Sequence, residues 1–315
     1  MRIVVLDGYT VNPGDNSWEP VARLGELAVF DRTRLDQIVA RARDAEILLT
    51  NKTRLDAATL TALPALRFVS VLATGYDVVD VAAARARGIP VSNVPEYGTD
   101  SVAQHTFALL LELANHPAEH AAAVAAGEWS RSADFCFWRA APVELAGRTI
   151  GIVGLGRIGR RVADIARAFA MNVTVSGEDS ARGGEVARRP LPRLFSESDV
   201  VSLHCPLTAK NARFVNRDLL RRMKPSAFFL NTARGGLVDE AALREALDCG
   251  WLAGAALDVG STEPLDPRSP LLGARNLLLT PHMAWASLPA RRRLVEVTAR
   301  NVEAFLGGAP INAVG

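Results

Sequence analysis

Thr149–Val153 (TIGIV) runs directly into Gly154-Leu155-Gly156-Arg157-Ile158-Gly159, and RRVADIARAFA follows from residue 160 to 170. An apolar run, a glycine turn and then Ile158, Val162, Ile165, Ala166 and Phe169 at helical spacing read as strand, tight turn and amphipathic helix. Glycine-rich hexamers arise by chance, and it is this strand-to-helix context that gives GxGxxG a meaning. The first glycine permits the turn, the second lets the backbone approach a pyrophosphate, and the third lets helix and strand pack closely. The helix N-terminus adds unpaired N–H groups and a partial positive charge. The stretch predicts a dinucleotide-binding unit built on Gly154, Gly156, Arg157, Ile158 and Gly159.

Five more apolar runs follow the same plan, at Asn172–Ser176, Asp199–Leu203, Ala227–Asn231, Ala255–Asp258 and Leu277–Thr280. Short apolar strands separated by helices imply a parallel sheet covered on both faces, the doubly wound α/β architecture. Upstream, residues 2–6, 46–49, 67–71 and 89–92 read as the strands of a first unit, with helical stretches at Arg34–Arg43 and Val79–Arg87. Ser101-Val102-Ala103-Gln104 matches a capping box and predicts that a helix opens there and runs through Leu113. Ala290–Leu306 is helical as well, with Leu294, Val297, Val302 and Phe305 as its apolar set.

At 315 residues the chain is long enough for two domains. Its 36 basic and 34 acidic residues leave a net charge of +2, which gives no reason to expect nucleic acid or a membrane surface as partner. Cys136, Cys205 and Cys249 are widely spaced and form no zinc pattern, which suits a reducing, cytoplasmic compartment. MRIVVLDG at the start reads as a strand and not as a signal peptide.

Ligands of open α/β sheets lie beyond the carboxyl ends of the strands. Arg234 follows the fourth strand of the second unit, Asp258 and Glu263 the fifth, and His282 the sixth. Arginine offers a planar, permanently charged fork for a carboxylate, and histidine gives a proton to a developing alkoxide near neutral pH. A carboxylate beside that histidine favours its imidazolium. The set suits reduction of a 2-keto acid by a nicotinamide cofactor. His204, at the end of the third strand, lines the same crevice, whereas His105 lies inside a helix and reads as structural. The position where such folds place a ribose-binding acid falls on Gly177, followed by Glu178 and Asp179. Two acids repel a 2′-phosphate and favour NAD with Glu178 on the ribose; loss of the acid, with Arg182 nearby, admits NADP.

GLGRIG, HCPLT (204–208), NTARGGLVDE (231–240), DVGSTEPL (258–265) and TPHMAWAS (280–287) together resemble the D-isomer-specific 2-hydroxyacid dehydrogenases. LATGYDVVD (72–80) and NVPEYGTDSVAQHTFALLLEL (93–113) extend the resemblance over nearly the whole chain, and GEWSRSADFCFW (127–138) is most similar to the glycerate dehydrogenases, or hydroxypyruvate reductases. The resemblance implies two Rossmann-like parallel-sheet domains, with a cofactor domain (99–287) inserted into a flavodoxin-like substrate domain (1–98 and 288–315). It implies that Arg234 binds and polarises substrate, that Glu263 pairs with His282, and that His282 is the acid/base. Thr74 and Gly75 would hold the substrate carboxylate. His204 and Pro206, in the HCPLT run, would line the cofactor, while Asp258 and the Thr232-Ala233 backbone would contact the nicotinamide carboxamide. Trp138 would reach a neighbouring subunit's site in a homodimer; read by itself it is equally a packing aromatic. Gly177, Gly260 and Glu96 depart from the family pattern, and Gly260 is expected to loosen the turn before Glu263. The expected reaction joins hydroxypyruvate and D-glycerate, with glyoxylate secondary. Rival readings are another 2-hydroxy acid, D-lactate or 3-phosphoglycerate, and a non-catalytic dinucleotide-sensing scaffold like the corepressors that share this fold.

Overall fold

The computed structural model describes residues 1–176 and 186–315. The chain divides into two compact units, Met1–Gly98 with Trp285–Gly315, and Thr99–Ala284.

In the first unit five parallel strands, β1 (Arg2–Val5), β2 (Glu26–Val29), β3 (Ile47–Thr50), β4 (Phe68–Val71) and β5 (Val91–Ser92), lie in the order β2-β1-β3-β4-β5. This is the flavodoxin-like order. Strand residues alternate between the two faces. Ile3, Val5, Ile47, Leu49 and Phe68 pack on the helix Leu288–Leu306 through Ala290, Leu294, Val295 and Val302. Val4, Leu48, Val69 and Val71 pack on Ile38, Ala42, Leu60 and Ala84 from the short helices of the opposite layer. With both faces covered, these strands read as continuous apolar runs, and their hydrophobicity alone made them visible. The edge strand β2 was not expected from the sequence; none of its four residues is fully buried, so it carries no such run. Phe305 stacks on the fully buried Phe68 with ring centroids 4.6 Å apart. A bidentate Arg291–Asp15 pair (2.5 and 2.7 Å) ties the same helix to the loop after β1, and the guanidinium holds the Asp15 carboxyl below its usual range.

Among its described residues the second unit has seven parallel strands, β6 (Thr149–Val153), β7 (Asn172–Ser176), β8 (Ala187–Arg188), β9 (Val200–Leu203), β10 (Phe228–Asn231), β11 (Gly254–Leu257) and β12 (Leu277–Leu279). Their order is β12-β11-β10-β9-β6-β7-β8. Six strands were expected; β8 escaped because it is two exposed residues at the sheet edge. Strand order reverses between β6 and β9, the switch point at which doubly wound sheets open a crevice. One face is covered by the helices Thr99–Asn115 and Arg157–Ala168, the other by Leu191–Glu197 and Glu240–Asp248. The expected capping box at Ser101 does not form. The helix starts two residues earlier, and the Ser101 hydroxyl instead donates to the Ala284 carbonyl at 2.6 Å.

Because Phe68 is fully buried and stacked, Phe68→Ala is expected to lower the unfolding free energy by about 3–5 kcal/mol, measured by urea denaturation. A loss under about 1 kcal/mol would contradict this packing.

Candidate active site

The glycine turn after β6 is shaped by contact. Gly154 has φ +94°, and a Cβ there would lie 2.7 Å from the Cys205 amide and 2.8 Å from the His204 carbonyl at the end of β9. A Cβ on Gly159 would meet the Gly154 carbonyl at 2.1 Å, so helix and turn are pressed together. A Cβ on Gly156, the N-cap of the helix Arg157–Ala168, would instead point into open space. The turn is therefore closed against protein at its first and third glycines and open at its second, beside the helix N-terminus. That geometry fits a pyrophosphate. Arg157 is exposed in the first helical turn, and Ile158 packs partly against the core.

From this turn the strand-end loops touch one another in sequence across the sheet. The 204–211 loop is held by Asn211, which donates to the Pro206 carbonyl (2.8 Å) and accepts from the Thr208 N–H (2.7 Å). Its Leu207 side chain would stand 2.8 Å from a Cβ on Gly236, beyond β10. Gly235 lies still closer to the next loop: a Cβ would be 2.0 Å from the Gly260 carbonyl. Only a residue without a side chain lets the loop bearing Arg234 lie against the loop bearing Glu263. Asn231 shapes the Arg234 loop by accepting from the Ala233 N–H and donating to the Arg234 carbonyl (3.0 and 2.9 Å). Arg234 is half-buried, and Thr232 is buried beneath it.

Glu263 and His282 come together. The Glu263 carboxylate lies 2.6 Å from Nδ1 of His282, and its other oxygen accepts from the Gly260 N–H at 3.2 Å. A carboxylate only accepts, so Nδ1 carries the hydrogen and Nε2 is the nitrogen left for exchange. Glu240, which sequence reasoning missed, fixes this loop from below by accepting from the Ser261 N–H (2.6 Å) and the Ser269 hydroxyl (3.3 Å). The turn at Gly260 is thus bonded at both 260 and 261.

His282 has φ +52°, a left-handed backbone that is uncommon for a residue with a side chain. Asp258 supports it from both sides. Its fully buried carboxylate accepts from the Thr280 hydroxyl (2.6 Å) and the Met283 N–H (2.9 Å) on one oxygen, and from the Ala284 N–H (2.8 Å) on the other. No pattern in the sequence announces this bracket; the acid at the end of β11 is expected only as a crevice residue and a contact to the nicotinamide carboxamide.

Thr74 and Gly75 follow β4 in the first unit, where Thr74 donates to the Val94 carbonyl and accepts through its own carbonyl from Asn93. Trp138 is strongly exposed, in a loop that also exposes Phe135 and Trp129. Gly177, Glu178, Asp179 and Arg182 lie outside the described residues. Among the described residues no His, Cys, Asp and Glu side chains group as a metal site would require, and no helix is long and apolar enough to cross a membrane.

His204 bonds to the Ser202 hydroxyl through Nε2 (2.8 Å), and burial pushes its imidazole down to about 3. The unfolded chain binds a proton at this residue below about 6.5 that the folded chain refuses. Its contribution to stability is therefore complete above 6.5 and is lost as pH falls towards 3. His204→Asn should show a smaller drop in urea midpoint between about pH 7 and about pH 5 than the parent; equal drops would contradict this account.

Comparisons with known proteins converge on one family. Residues 107–284 match the model described as "D-isomer specific 2-hydroxyacid dehydrogenase, NAD binding domain". The chain is 45% identical over 320 residues to a hydroxypyruvate reductase of Blautia hydrogenotrophica, covering 100% of this chain and 99% of that protein. It is 41% identical over 281 residues to a glycerate dehydrogenase of Methylorubrum extorquens, covering 89% and 88%. The crystal structure of an NADPH-dependent glyoxylate/hydroxypyruvate reductase from Sinorhizobium meliloti, in complex with NADP and malonate, superposes with a TM-score of 0.84 at 31% identity, covering 100% of this chain and 96% of that one.

Proposed function

Because the chain belongs to the D-isomer-specific 2-hydroxyacid dehydrogenases, we propose that hydroxypyruvate and D-glycerate are its principal substrate pair, with glyoxylate reduced as well. It is an NAD(P)-dependent oxidoreductase acting on the CH–OH group. The observation that carries the site assignment is the 2.6 Å contact between Glu263 and His282, on a loop that joins the Arg234 loop through Gly235 and Gly260.

In this reading Arg234 grips the substrate carboxylate and draws electron density from the adjacent carbonyl. When bound, the nicotinamide supplies the hydride that reaches the carbonyl carbon. His282 delivers the matching proton to the carbonyl oxygen from Nε2, while Glu263 holds Nδ1 and stabilises the charged ring. In the oxidative direction the same nitrogen takes the hydroxyl proton. The turn formed by Gly154, Gly156 and Gly159 would hold the pyrophosphate, and the backbone of Thr232 and Ala233 would meet the carboxamide. NAD is the proposed cofactor, with NADP also admitted.

The strongly exposed Phe135 and Trp138 support a homodimer in which a second copy covers this loop. Cys136 and Cys249, free and exposed, suit the reducing cytoplasm.

Assays that pair NADH and NADPH with hydroxypyruvate, glyoxylate and pyruvate should show falling nicotinamide absorbance, fastest with hydroxypyruvate. Absence of turnover with every small 2-keto acid would overturn the proposal. His282→Ala should lower kcat by roughly 10²–10⁴-fold with cofactor affinity unchanged. A loss of cofactor binding with turnover per bound complex intact would remove His282 from the proton-transfer role.

A further inference from the structure

His105 and Thr106 are neighbours on the helix Thr99–Asn115, which packs against β10 and β11 in the second unit. Each reaches a different strand-end loop. Nε2 of His105 is 3.1 Å from the Thr280 hydroxyl oxygen and 3.6 Å from the Asp258 carboxylate. The Thr106 hydroxyl is 3.0 Å from that of Thr232.

Hydrogen counting gives these contacts a direction. Thr280 has one hydroxyl hydrogen and donates it to Asp258 at 2.6 Å, so Nε2 of His105 must carry the hydrogen in its contact with Thr280. Thr106 donates to the Val102 carbonyl at 2.8 Å, so it receives the Thr232 hydroxyl hydrogen. Two short chains result. One runs from His105 through Thr280 to Asp258, whose oxygens bracket His282. The other runs from Thr106 to Thr232, two residues before Arg234. Thr106 and Thr232 are buried, so a hydroxyl left without its partner there is costly.

We propose that His105 and Thr106 are positioning residues: through two hydroxyl contacts one helix sets the loop that carries His282 and the loop that carries Arg234, and so fixes how the proton donor stands against the carboxylate anchor. The inference rests on the roles proposed above for those two residues. Neither His105 nor Thr106 touches substrate in this account. Their effect is on placement, to which rates are steeply sensitive.

The test uses the full chain with His105→Leu, His105→Gln, Thr106→Val and Thr106→Ser. Gln keeps an N–H donor and Ser keeps the hydroxyl, whereas Leu and Val keep bulk alone. Amide hydrogen exchange is followed over residues 232–235 and 280–284 without substrate. Steady-state constants for hydroxypyruvate and the cofactor Kd are measured in parallel. His105→Leu should speed exchange at 280–284 and Thr106→Val at 232–235. Each should cut kcat/KM about tenfold, with cofactor Kd unchanged in His105→Leu and with Gln and Ser restoring most of the rate. Unchanged exchange in both loops would overturn the proposal. So would losses that Gln and Ser fail to rescue while melting temperature drops equally in all four variants. Should His105→Leu fail to fold, His105→Ala, which cannot reach Thr280 either, carries the same expectation. A parent chain inactive on every 2-keto acid would refute the proposed reaction but leave the exchange result standing.

Discussion

Asp258 is fully buried, and both of its carboxylate oxygens accept hydrogen bonds from the five residues that contain His282. A buried carboxylate without donors costs several kcal/mol, and a left-handed backbone at a residue with a side chain is also unfavourable. Here each unfavourable feature is compensated by the other. The turn through His282 at φ +52° brings the Met283 and Ala284 N–H groups to the carboxylate, and the carboxylate helps hold that turn by accepting them and the Thr280 hydroxyl. The imidazole leaves this bracket in one direction, and Glu263 fixes its rotation.

The rest of the second unit extends the same constraint sideways. Parallel strands end at a common edge, and the loops beyond β9, β10 and β11 lie close enough that Gly235 and Gly236 accept no side chain without displacing a neighbour. Close-packed backbone transmits position with little slack. Arginine, glutamate and histidine, far apart in sequence, are therefore set on adjoining loops by contacts between main chains as much as by their own side chains. The glycine turn after β6 joins this row through the His204 and Cys205 backbone.

Much of this was legible in the sequence for a simple reason. A strand buried on both faces must be apolar throughout, so IVV, ILL, FVSV and TIGIV announce themselves, and the first polar residues after them mark the functional edge. The edge strands β2 and β8 lack that signal because they are short and largely uncovered. Ser101 misled because the Ser-x-x-Gln pattern does not reveal that its hydroxyl is already engaged by Ala284. His105 reads as structural, and no pattern marks the Thr280 hydroxyl that it meets at 3.1 Å. The Asp258 bracket, the Glu240 anchor and the Thr106–Thr232 pair join residues from 21 to 126 positions apart, and contacts of that kind leave no periodic mark.

The account turns on Arg234 and His282 meeting one small acid. Its most direct test is a crystal structure of the ternary complex with oxidised nicotinamide nucleotide and a non-reducible 2-keto-acid mimic such as oxamate. The account predicts the Arg234 guanidinium on the carboxylate of the mimic and Nε2 of His282 within hydrogen-bond reach of its carbonyl oxygen, with Glu263 still on Nδ1. A mimic bound with His282 turned away from that oxygen, or with Arg234 out of reach of its carboxylate, would contradict it.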